Sequence, residues 1–375
     1  MKFSVDRDVL ADAVAWTARA VPARPPVPVL AGVHITADAD GTVKLASFDY
    51  ELSARGEFAA DVETEGTVLV SGRLLREIAN ALPHKPVVFE TEGTKVAVTC
   101  GASRFTLATM PVDQYPALPE MPEQSGVVDG SLFQQAVTQV SAAASRDETL
   151  PILTGVRIEI EGSHISLLAT DRYRLALREL EWKPSSSNIS AVALVRAKTL
   201  TETAKALGSG DVTVSLSAGQ GVDLVGFEAG GLVTTSLLMD GDYPQVRRLF
   251  PDDSPITAVI KTSDLIEATR RVSLVAERNS SVRLAFTQGE VTLDAGQSDD
   301  AQASEALEST LEGDDITVAF NPTFLLDGLN ALGSQYVRLG FTQETKPVEF
   351  VGLDKPGGTV ASDFRYLLVP IRIAS

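Results

Sequence analysis

Leu75-Arg76-Glu77-Ile78-Ala79-Asn80-Ala81-Leu82 returns as Leu200-Thr201-Glu202-Thr203-Ala204-Lys205-Ala206-Leu207 and again as Leu325-Leu326-Asp327-Gly328-Leu329-Asn330-Ala331-Leu332. Each copy closes on Ala-Leu with a leucine seven residues earlier, which puts both leucines on one face of a helix. The spacing is 125 residues, one third of the 375-residue chain, so the whole protein reads as one unit written three times. A repeat of that length is a domain, because solenoid modules recur at about 20–50 residues.

The rest of the unit keeps register. Pro28-Val29-Leu30 with Val33-His34-Ile35 reappears as Pro151-Ile152-Leu153 with Val156-Arg157-Ile158, and more weakly as Val282-Arg283-Leu284. Each unit opens on a helix with a leading apolar pair, Val9-Leu10, Leu132-Phe133 or Leu265-Ile266, and with further apolar residues about one turn on. Elsewhere the period drops to two, as in Val96-Ala97-Val98, Val212-Thr213-Val214, Val222-Asp223-Leu224 and Val348-Glu349-Phe350. Asp40-Gly41, Glu92-Gly93, Glu161-Gly162 and Gln288-Gly289 supply the positive φ of tight turns between antiparallel strands. The expected fold is α+β, with three tandem copies of a unit holding two helices and roughly eight antiparallel strands. Proline-rich joints after Tyr115-Pro116 and Tyr243-Pro244 put the domains at 1–120, 121–252 and 253–375.

A hydrophobic fraction of 44% over this length describes an ordered globular chain with room for three cores. Charges at Lys2, Asp6, Arg7, Asp8, Asp12 and Arg19 exclude a signal peptide or membrane span at the start, and the expected compartment is the cytoplasm. The single cysteine, Cys100, lies in a strand-like stretch and is expected to be a buried, inert thiol.

Catalytic signatures are absent: the chain carries no phosphate-binding Gly-Lys-Ser/Thr, no Gly-x-Ser-x-Gly elbow and no HExxH. His34, His84 and His164 fall singly in different segments, so neither a metal site nor a cofactor is expected. Asp171-x-x-Arg174 could be an acid/base fragment, but a structural ion pair is the simpler reading.

Thirty-two basic against 50 acidic residues give a net charge of −18, which opposes indiscriminate binding to nucleic acid. The distribution is uneven. Basic residues gather near the repeated helices (Arg19, Arg24, Arg73, Arg76, Arg146, Arg196, Lys198, Lys205, Arg270, Arg271, Arg278), and acids are expected in loops, above all from Asp294 to Asp315. Units with a sheet on one side and helices on the other can join edge to edge into a curved wall lined by helices. Two such walls related by a two-fold axis would close without leftover edges.

Several strings then carry a family resemblance. Met1-Lys2-Phe3, Arg24-Pro25, Pro28-Val29-Leu30, Ala169-Thr170-Asp171 with Arg174-Leu175-Ala176, Asp242-Tyr243-Pro244 with Arg247-Arg248, Phe320-Asn321 and Val369-Pro370-Ile371-Arg372-Ile373 stand in an order and spacing that resembles the bacterial sliding clamps, the beta subunit of DNA polymerase III. The resemblance runs from Met1 to Ile373. It implies a head-to-tail homodimeric ring that encircles duplex DNA without reading sequence and tethers the replicative polymerase, with no chemistry of its own. The implied DNA-contacting residues are Arg24, Arg73, Arg146, Arg196 and Lys198. An implied second site, a groove for short, partly apolar peptides of the polymerase alpha subunit, the clamp loader and other clamp-binding proteins, comprises Leu153, Thr170, Arg172, Tyr173, Arg174, Leu175, Pro244, Arg248, Leu249, Val348, Val369, Pro370, Ile371 and Arg372.

This chain departs from the family pattern in places. Arg172-Tyr173 stands where the family often has Gly-His, Val369 where it often has Met, and Asn279 where some relatives have an aromatic residue. These departures leave open a specialised second clamp copy with an altered groove. The rival of another class is a tandem α+β enzyme or small-molecule binder that uses a groove between units.

Overall fold

The computed structural model describes residues 1–217, 223–276, 281–298 and 301–372; Val222, Arg278, Asn279, Asp299, Asp300 and Ile373 lie outside the described residues. Six helices are present among them: α1 (Arg7–Thr17), α2 (Gly72–Ala81), α3 (Gly130–Ser141), α4 (Ala197–Leu207), α5 (Thr262–Val272) and α6 (Pro322–Leu332). The starts of α2, α4 and α6 keep the 125-residue spacing of the repeat. Local chemistry fixes their ends. Asn321 caps α6 by accepting from the N–H groups of Thr323 (2.9 Å) and Phe324 (3.3 Å), Pro322 occupies the first turn, and Gly333 closes the helix at φ +63°.

Nine strands lie before residue 120, nine between 121 and 252 and nine after, one more per repeat than expected; the extra ones are short, such as Asp61–Thr64 and Lys183–Pro184. All the pairings are antiparallel, and the turn glycines Gly41, Gly93, Gly162 and Gly289 have positive φ as anticipated.

The chain forms two compact units rather than three. The first comprises Met1–Ser131, Lys183–Ser186 and Glu202–Leu238; the second comprises Leu132–Trp182, Ser187–Thr201 and Met239–Ser375. Sheet continuity is the reason. In the first unit, strand Leu52–Ala59 of the first repeat pairs with Leu232–Leu237 of the middle repeat, within a fourteen-stranded sheet. In the second unit, strand Arg174–Glu181 of the middle repeat pairs with Val360–Leu368 of the last, within a nine-stranded sheet. The middle repeat thus gives one sheet edge to each neighbour.

The core of the first unit packs Phe3 on Phe89 (4.8 Å between centroids) with Leu10, Val14, Leu75 and Leu107 around them. In the second, Tyr366 lies over α6, where a side chain at Gly328 would meet its ring at 2.3 Å; only glycine permits this approach. Each fully buried leucine or phenylalanine contributes about 1.5–3 kcal/mol.

Two expectations about single residues come out differently. Cys100 is buried at the end of strand Lys95–Cys100, as anticipated. The acids after Asp294, however, lie largely on strands: Asp294, Glu305, Glu308 and Glu312 belong to Glu290–Ser298, Ala301–Glu308 and Thr310–Glu312. Charge masked a period-two alternation there, in which Glu305 points to Arg271 at 2.5 Å.

Candidate peptide groove and cationic helix ends

Strand His164–Thr170 turns into Arg174–Glu181 through Asp171, Arg172 and Tyr173. Asp171 Oδ1 accepts from the backbone N–H groups of Tyr173 and Arg174, both at 3.0 Å. Thr170 Oγ1 accepts from the Arg172 N–H (3.1 Å) and donates to the Arg174 carbonyl (2.6 Å). The closed turn holds Arg172 at φ +80°, a left-handed conformation that costs a residue with a side chain about 1–2 kcal/mol. Glycine, common at this place in the family, would adopt it freely.

Arg174 locks the turn to α6. Its Nε donates to Asp171 Oδ2 (3.0 Å), its Nη1 donates to Asp327 Oδ2 (2.6 Å), and the guanidinium lies 4.3 Å from the Phe324 centroid. Burial works against the charge, but Tyr366, Asp327 and Asp171 outweigh it and hold the pKa above the ordinary arginine value. The Asp171–Arg174 pair is therefore the ion pair expected from the sequence, with no proton to exchange. Tyr173, 55% exposed, stacks on the other ring of this set, Phe324, at 6.1 Å, and its carbonyl accepts from the Val369 N–H at 2.9 Å.

Beside this turn lies an apolar floor of Leu168, Leu175, Leu177, Leu194, Tyr243, Val246, Phe250 and Leu367. Leu153 is buried at its margin, while Leu249, Val369 and Ile371 remain 37–53% exposed, an arrangement unfavourable in water unless something covers it. Pro244, Arg248 and Arg372 are exposed and Pro370 is half-buried. Thr170 is buried and spends its hydroxyl on the turn. Val348 is not part of the groove. It is fully buried in register with Leu368 and Arg174, on the row next to the Glu349–Leu367–Leu175 row that faces the floor; alternate residues of a strand face opposite sides, so Val348 is core. Tyr243 and Phe250 were legible only as boundary signals, although an aromatic residue beside each linker proline could have marked a linker folded onto a sheet.

The basic residues divide between the units. In the first, Arg73 is the second residue of α2, and with Arg19, Arg76 and Lys205 it lines a cleft of about 620 Å³. Arg24 is exposed between Ala23 and Pro25, which line the same cleft. Arg19 donates to the Glu202 carbonyl (2.7 Å), and burial pulls its pKa down. In the second, Lys198 is the second residue of α4, the place Arg73 holds in α2; Arg196 and Arg146 are also exposed. A cation in the first turn opposes the helix dipole at a cost of a few tenths of a kcal/mol, whereas an anion docked there gains from both.

Among the described residues no group of three His, Cys, Asp or Glu side chains could hold a metal ion, and no helix is long and apolar enough to cross a membrane.

Comparison with known proteins gives a single answer along the chain. The family models for the N-terminal, central and C-terminal domains of the DNA polymerase III beta subunit match residues 1–119, 127–245 and 247–371. The chain is similar to the beta sliding clamp of Streptomyces coelicolor, with 56% identity covering all of both chains, and to that of Micrococcus luteus, with 60% identity over 83% of this chain and all of the relative. The crystal structure of the Bacillus subtilis DNA polymerase sliding clamp superimposes with a TM-score of 0.91 and 27% identity, covering all of both chains. The chain belongs to the DNA polymerase III beta subunit family, the bacterial sliding clamps, and acts as a DNA sliding clamp, a processivity factor and not an enzyme.

Proposed function

We propose that two copies of this chain close into a head-to-tail ring around duplex DNA in the cytoplasm and tether the DNA polymerase III alpha subunit, clamp-loader subunits and other clamp-binding proteins through the groove beside Leu175. The three repeats, 1–120, 121–252 and 253–375, are its modules. The observation that carries this reading is the placement of Arg73 and Lys198 at equivalent ends of repeated helices in a chain of net charge −18. Cations concentrated against the overall charge, and against the helix dipole, favour phosphate; nothing about them reads base edges, so the protein can slide.

Two strand edges support closure between copies. Strand Ser103–Met110 pairs on both sides only at Thr109 and Met110, and strand Ala301–Glu308 pairs only with Glu290–Ser298. Phe105 (38% exposed) lies on the first edge, and Leu274 (85% exposed) ends α5, whose Arg271 pairs with Glu305 on the second. Free edges flanked by exposed apolar residues are aggregation-prone unless a partner covers them.

Light scattering tests the dimer, which should have twice the 39.8 kDa chain mass. Retention on DNA tests the ring, which should stay on nicked circles and leave linear ends. Alanine at both Arg24 and Arg73 should weaken DNA association and flatten its salt dependence while the dimer persists. A monomer, or equal retention on circles and linear DNA, would refute the reading.

A further inference from the structure

We propose that Arg172 makes the groove selective for partner peptides that carry a carboxylate next to their apolar anchor; this rests on the groove reading above. The turn from Asp171 to Arg174 fixes the backbone at position 172 whatever its side chain, so the residue's own contribution lies in the group it presents. That group is an exposed guanidinium 5.9 Å from the Tyr173 ring centroid, and the ring is braced from behind by Phe324.

The surrounding charges point one way. Arg248, one residue before the exposed Leu249, and Arg372, one residue after the exposed Ile371, flank the same apolar surface. Among the described residues, none of these three guanidinium groups has a carboxylate within salt-bridge distance. The acids in the vicinity are already engaged. Asp171 and Asp327 hold Arg174. Asp147, which feels the Arg172 charge, accepts from the Thr149 N–H (2.9 Å) and hydroxyl (2.7 Å). A rim of three unpaired cations on a chain of net charge −18 complements an anionic ligand, and the apolar floor supplies the anchor that such a ligand needs.

A peptide array probed with the labelled full-length protein tests this. Its peptides keep a Leu-Phe anchor and vary each of the three preceding positions through all twenty residues; controls replace Leu-Phe with Ala-Ala. At low salt, Asp or Glu at one or more positions should bind about two- to five-fold more tightly than Asn or Gln, the range of a rim ion pair. The preference should vanish in Arg172→Gln, which keeps the length of the arm, and at high salt, and persist in part in Arg172→Lys. Thermal melting of Arg172→Gln within a degree or two of the parent shows that the turn is intact. An acid-to-amide ratio at or below one in the parent protein, or the same ratio in Arg172→Gln, overturns the proposal. Binding no stronger than to the Ala-Ala controls overturns the groove reading itself, and the selectivity with it.

Discussion

Two seams in this chain have the same backbone and opposite chemistry. In the first unit, Asp49 Oδ1 accepts from the N–H groups of Glu51 (2.9 Å) and Leu52 (2.6 Å), Tyr50 sits at φ +76°, and the chain enters the strand that pairs with Leu232–Leu237. In the second, Asp171, Arg172 (φ +80°) and Arg174 repeat that turn before the strand that pairs with Val360–Leu368. The registers correspond, with Ser53 opposite Thr235 in one and Leu175 opposite Leu367 in the other. Ser53 and Thr235 share a 2.6 Å hydroxyl contact, Thr234 donates to the Ser53 carbonyl, and the first linker lays Met121 against Gly226, next to Thr235. Small, mutually satisfied groups leave no apolar surface to offer. Leucines at the same places leave a floor with Leu249, Val369 and Ile371 exposed above it. Duplication kept the hydrogen-bond frame, and side chains alone separate a sealed seam from a candidate docking groove.

Exchanging the chemistries should break the contrast most strongly. Leu175→Ser removes a side chain that is 2% exposed and should cost about 2–5 kcal/mol by urea unfolding, together with groove binding. The reciprocal Ser53→Leu overpacks a fully buried site and should cost about 1–3 kcal/mol without creating a groove. Equal tolerance of both changes would mean that the seams do not differ as described.

A smaller and purely local effect is expected from deleting residues 371–375. Ile371 is held by its N–H to the Ala319 carbonyl (2.7 Å) and contributes exposed apolar surface. Its loss should weaken a polymerase-derived peptide at least about 100-fold in a titration, roughly 2.7 kcal/mol, while scattering still reports the dimer. The smallest effect sharpens the likeness of the two turns. Arg172→Gly and Tyr50→Gly should each stabilise by about 0.5–1 kcal/mol, and by similar amounts, because each relieves the same left-handed strain. A gain at one turn and a loss at the other would show that the turns are not equivalent.

The repeat was legible in the sequence because amphipathic helices write their period into side chains: the starts of α2, α4 and α6 were implied by Leu75, Leu200 and Leu325. The seams were not, since strands 180 residues apart pair through backbone groups that every residue shares; nothing in Ser53 names Thr235. The groove was legible in its turn and its tail, and less so in its floor, where Tyr243 and Phe250 read as linker punctuation. Val348 was misplaced for want of register, because a one-residue shift in pairing carries a side chain to the other face.

Continuous sheets also decide where an assembled ring can give way. Each internal joint is zipped by five ladder pairs and tied by the peptide chain as well, so even a proteolytic nick among the prolines after Tyr115 would leave Leu52–Ala59 stitched to Leu232–Leu237. A joint between separate copies has the ladder without the tether. Any machine that admits a DNA strand into the hole would therefore pry there, and the covalent thirds would travel together as one stiff gate.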